Sequence, residues 1–70
     1  MIRVSYPGTG PVFGLWCEGE RVVSAAPVAR YAIGWTAIRA VRYFLARGCT
    51  VELMTGPHVV KRYSPGEASR

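Results

Sequence analysis

The sequence predicts an α+β protein in which one amphipathic helix packs on a mainly antiparallel sheet of about four strands. Three observations lead there. Val12 to Glu18 alternates in character, with Phe13, Leu15 and Cys17 on one side and Val12, Gly14, Trp16 and Glu18 on the other. Glu18-Gly19-Glu20 then makes a hairpin turn into Arg21–Ala25. Ala37 to Arg47 repeats its apolar residues at helical spacing and is closed by Gly48. The expected order is β-β-β-α-β, with a final strand if the segment after Pro57 returns to the sheet.

Ile2 to Tyr6 is suited to a first short strand, and Pro7-Gly8-Thr9-Gly10-Pro11 to a loop. In the second strand Phe13, Leu15 and Cys17 make the cleaner core set, which leaves Trp16 partly outside. Pro27 ends the third strand, because its nitrogen cannot donate to a ladder. Val28 to Ile33 is expected as an irregular connection with one helical turn. Thr36 is the candidate N-cap of the helix, and Arg47 in the last turn suits the negative end of the helix dipole.

On that helix Ala37, Ile38, Val41, Phe44 and Leu45 gather on an arc expected to face the sheet. Arg39, Arg42, Tyr43, Ala46 and Arg47 share the arc expected to face water. Cys49 to Thr55 is the next strand. Its Glu52 falls opposite Val51 and Leu53, on a side expected to meet solvent. Gly56-Pro57 turns the chain, and His58 to Tyr63 reads as an edge strand whose Lys61 and Arg62 discourage aggregation. One domain over residues 1–63 and a frayed tail over 64–70 complete the plan.

The composition bounds function as well as fold. Seventy residues allow one core, with a margin thin enough for a dimer or bound partner to add stability. The N-terminal run lacks the apolar region of a signal peptide, and no apolar run approaches the ~20 residues that span a bilayer. The expected compartment is therefore the cytoplasm, with no membrane partner. Nine Lys and Arg face four Glu, for a net charge of +5, and eight of the nine are Arg. Such an excess suits nucleic acid or an acidic protein, although a GC-rich genome also writes Arg-, Ala- and Gly-rich chains.

Catalysis is not expected. The titratable set is four Glu, one His and two Cys, with no Asp or Asn to orient His58 for a Cys–His pair. Cys17 and Cys49 are too few and too far apart for a metal box, and each is expected inside a strand as a buried free thiol. Gly8-Thr9-Gly10 lacks the following Lys and helix of a phosphate loop, so no cofactor is expected.

The expected binding surface is the basic aromatic helix face: Arg39, Arg42, Tyr43 and Arg47, with Arg30 and Tyr31 upstream and Lys61, Arg62 and Tyr63 downstream. Arginine forks match phosphate oxygens, and a tyrosine between them can stack on a base. The absence of Asn and Gln removes the usual readers of adenine, so binding would lean on charge and shape. The alternative is a protein partner. Trp16 and Trp35 are the candidate interface aromatics, and a sheet edge near Met1 or His58 could pair with another chain as a homodimer or strand-addition complex.

Two resemblances accompany this reading. Leu45-Ala46-Arg47-Gly48 followed by Gly56-Pro57-His58 is similar in rhythm to small bacterial toxin ribonucleases with a double-stranded-RNA-binding fold. Pro57 stands where that family has a serine, and strands stand where it begins with a helix. Separately, Gly19 to Tyr31, Gly34, Val41-Arg42-Tyr43-Phe44 and Arg47-Gly48 resemble small α/β proteins of unknown function encoded by phages and mobile elements, over about half the chain. That resemblance implies roles such as inhibition of host machinery, a defence complex included.

Overall fold

The computed structural model describes residues 1–65. From residue 66 on, the expected tail lies outside the described residues. Five strands form one antiparallel sheet: β1 (Ile2–Ser5), β2 (Val12–Glu18), β3 (Arg21–Ala25), β4 (Thr50–Thr55) and β5 (His58–Tyr63), in the spatial order β3-β2-β1-β4-β5. The α+β class stands, and the strand count is corrected from about four to five because His58–Tyr63 pairs with β4 along its length. The strand expected to run to Tyr6 stops at Ser5, and β4 begins at Thr50, so Cys49 precedes its strand.

β1 is central, bonded to β2 on one side and β4 on the other. The edge expected near Met1 therefore does not exist, and the true edges are β3 and β5. Each of the two hairpin pairings carries one extra residue on its edge strand. Trp16 faces Ser24 while Cys17 faces Val22, which leaves Val23 bulged. Leu53 faces Lys61 while Met54 faces Val59, which leaves Val60 bulged.

One layer of helix covers one face of the sheet. A 3-10 segment at Pro27–Ala32 lies against β3, and the helix α1 (Ala37–Ala46) lies against β4. Thr36 caps α1 as expected, its hydroxyl accepting from the Arg39 amide at 3.2 Å. Arg47 is the C-cap residue, and Gly48 at φ +85° supplies the left-handed turn into β4. A side chain there would be strained.

The core lies between the layers. Ile2, Val4, Phe13, Leu15, Val22 and Val51 from the sheet meet Ala29, Ala32, Ala40, Val41, Phe44 and Leu45 from the helical layer. Ala40 is fully buried where the apolar arc had not included it, and Ile38 is 67% exposed where the arc had placed it inside. The reason is width. Five strands span about 19 Å between outer axes, whereas one helix is about 10 Å across. The 3-10 segment closes the β3 side, and among the described residues the β5 side keeps no such cover, so Ile38 overhangs it.

Phe44→Ala empties the centre of this core and should cost about 3–5 kcal/mol, enough to unfold much of a domain this small. Ile38→Ala should change stability by less than about 0.5 kcal/mol. Urea titrations of the two variants check the contrast.

Candidate nucleic-acid interface

The arc expected to face water does so, but its side chains are not equivalent. Arg39, Arg42 and Arg47 are exposed and Tyr43 is half-buried. Trp35, just before the cap, lies one turn ahead of Arg39, and Tyr43 one turn ahead of Arg47. Each arginine accordingly stacks on the ring four residues before it: Arg39 at 4.4 Å from the Trp35 ring centre, Arg47 at 4.5 Å from that of Tyr43.

The rings beneath form one cluster. Trp35 and Tyr43 meet edge to face at 5.0 Å, and Tyr31 from the 3-10 segment meets both at 5.7 Å. Tyr43 continues inward to Phe44 at 5.1 Å, and Phe44 to Phe13 at 5.6 Å. A chain of edge-to-face contacts thus ties the surface pair of arginines to the core. The Tyr31 phenol is pushed up to about 12, first by burial and then by its hydrogen bond with Tyr43, so this ring is neutral at physiological pH.

The other expected binding residues divide. Arg30 is exposed on the 3-10 segment that also carries Tyr31. Arg42 turns to the β5 side of α1, where Lys61 also lines the space between helix and strand. Lys61 sits 5.2 Å from the Tyr63 ring centre. Arg62 is not part of this surface: strand alternation sends it to the opposite face of the sheet. Trp16, 46% exposed, is on that far face too, packed over Gly14, where an added methyl would come within 3.3 Å of its ring. Trp35 is half-buried.

Glu52 corrects the expectation that it meets water. It is 4% exposed, and the sheet register places Arg3 and Arg62 directly beside it on the neighbouring strands. The Arg3 Nε donates to one carboxylate oxygen at 2.7 Å, and the Arg62 Nε and Nη2 donate to the other at 3.0 and 2.7 Å. These hydrogen bonds, Arg62's first, hold the Glu52 carboxyl below its usual range against the opposing effect of burial. The sequence signal for this ladder was present in three charged residues at non-core positions of three strands, but the strand order needed to align them was not.

Glu18 and Glu20 sit at the β2–β3 turn, so among the described residues the helical layer carries no carboxylate. The two ion pairs among the described residues both end on Glu52, on the opposite face of the sheet. Nor does a nucleophile pair form. Cys49 and His58 stand at opposite ends of β4, about 20 Å apart, and Cys17 is three strands from His58, about 14 Å. Burial pushes both thiols up, which disfavours the thiolate. Among the described residues no three His, Cys or Glu converge to hold a metal, and no helix is long and apolar enough to cross a membrane. The chain matches no protein-family model, no curated protein and no solved structure.

Glu52 has a depressed pKa in the fold, so its stabilisation is complete above the ordinary carboxylate range and is lost as pH falls through the folded value. Glu52→Gln should therefore lower the urea midpoint at pH 7, and its gap to wild type should narrow by about pH 3.

Proposed function

We propose that this protein is a non-catalytic binding module that contacts nucleic acid through the Arg/Tyr face of α1. Two guanidinium groups carry the reading: Arg39 on Trp35 and Arg47 on Tyr43, in a layer with no described carboxylate to neutralise them. Stacking fixes the plane of each guanidinium and leaves its outer N–H groups free to fork onto phosphate oxygens. Arg30 and Arg42 extend the positive surface to either side, and the exposed half of Tyr31 offers a ring to an unpaired base. With no Asn or Gln in the chain, recognition rests on phosphate charge and strand shape rather than on base edges.

A second reading, a protein-binding module of the kind the phage and mobile-element resemblance implies, is supported by apolar area left open: Trp16, Met1 and Val12 on the sheet and Ile38 on α1. Inhibition of a host defence complex belongs to this second reading.

Fluorescence anisotropy with short labelled single- and double-stranded DNA and RNA separates the two. Four arginine contacts should give a log–log salt slope of about −3 to −4, and Arg39→Glu should weaken binding by about tenfold or more and flatten that slope by about one unit. No binding at low salt, or binding that Arg39→Glu and Arg47→Glu leave intact, would overturn the assignment to this face.

A further inference from the structure

The two edges of the sheet are not alike. The outer side of β3 is already occupied: the Val22 amide donates to the Trp35 carbonyl and its carbonyl accepts from Gly34, both at 2.8 Å, and the Ala37 amide donates to the Glu20 carbonyl at 2.7 Å. No such backbone bond reaches the outer side of β5 among the described residues. Beside β5 a groove of about 830 Å³ runs between the sheet and α1, floored by Val41, Leu45 and Leu53 and flanked by Ile38 and Tyr63. Its charged lining is Arg42 from α1 and Lys61 from β5, both cationic.

From this pairing of an open edge with an apolar, cation-lined groove we infer that β5 is a strand-addition site for an extended acidic segment of a partner protein. The segment adds a sixth strand alongside His58–Tyr63, sends alternate apolar side chains over Leu53 and Ile38, and sets carboxylates against Lys61 and Arg42. Charge selects this occupant over a second copy of the chain. Two antiparallel β5 strands paired about Lys61 and Arg62 would set the two cations of one copy against those of the other, in a protein of net charge +5. The same lysine that opposes self-pairing attracts an acidic strand. The groove also explains why a helix with a clean apolar arc leaves an isoleucine 67% exposed: that side chain is one wall of the site.

The site is separate from the stacked Arg39 and Arg47, so it stands or falls without the nucleic-acid reading. The probe is a labelled synthetic peptide of alternating Glu and Val, compared with a block isomer of the same composition and with a version N-methylated at alternate residues. The alternating peptide should bind about tenfold or more tightly than either control and should shift the amide resonances of His58–Tyr63. Ile38→Glu and Lys61→Glu should each weaken it about tenfold, while Val12→Glu on the far face leaves it unchanged. Both site substitutions are at exposed positions, and the amide spectrum of each free variant reports that it is folded. Equal binding of the three peptides would overturn strand addition. So would displacement by decanoate with no dependence on backbone N–H groups, which would make the groove a site for small amphipathic anions.

Discussion

The covering of a five-stranded sheet by one ten-residue helix sets the terms for the rest of this protein, because the helix is too narrow for the sheet it must protect. α1 settles against β4, and its fully buried Phe44 meets Phe13 from β2 edge to face. The β3 side is then closed by the 3-10 segment, whose alanines Ala29 and Ala32 let its backbone approach the sheet. The segment from Gly34 to Ala37 finishes that side by bonding to the outer edge of β3. No equivalent element closes the β5 side among the described residues. Among the described residues, the open groove is thus a consequence of element widths.

The same geometry sorts the charges. On the uncovered face, charged side chains from three neighbouring strands stand in one row, and Arg3, Glu52 and Arg62 pair across it. A carboxylate at the middle of that row is shielded by two long side chains yet accepts three guanidinium N–H bonds, so its charge is satisfied although water is mostly excluded. Among the described residues the helical layer supplies no acid, and Arg39 and Arg47 are held by aromatic faces instead of carboxylates. A cation on a ring keeps most of its hydrogen-bonding capacity for a ligand. The protein therefore has one face where arginine is spent on structure and another where arginine remains available.

Much of this was legible in the chain. β2 and β3, the Thr36 cap, the turn at Gly48 and the irregular helical turn after Pro27 follow from local signals: alternation, capping chemistry and the backbone limits of Gly and Pro. The shared arc of Arg39, Arg42, Tyr43 and Arg47 follows from helical period alone. What stayed hidden depends on which strands are neighbours. Glu52 looks like a solvated strand residue until β1 and β5 are known to flank β4. Ile38 looks like core until the helix is known to be narrower than the sheet. Arg62 reads as a companion of Lys61 in sequence, whereas in a strand adjacent residues point to opposite faces.

Arg42 links the two surfaces of α1. It belongs to the arc that the nucleic-acid reading uses, yet it turns into the groove beside β5. A carboxylate placed against Arg42 and Lys61 would neutralise part of the positive field that phosphates sense, and a phosphate at Arg42 would remove a contact from an acidic strand. Linkage requires each ligand to weaken the other by the same factor. The stacked pair Arg39 and Arg47 does not line the groove and is anchored through Trp35, Tyr43 and Phe44 to the core, so that coupling would diminish nucleic-acid binding without abolishing it. If both proposals hold, a ten-residue helix would carry two sites whose anionic partners compete through Arg42.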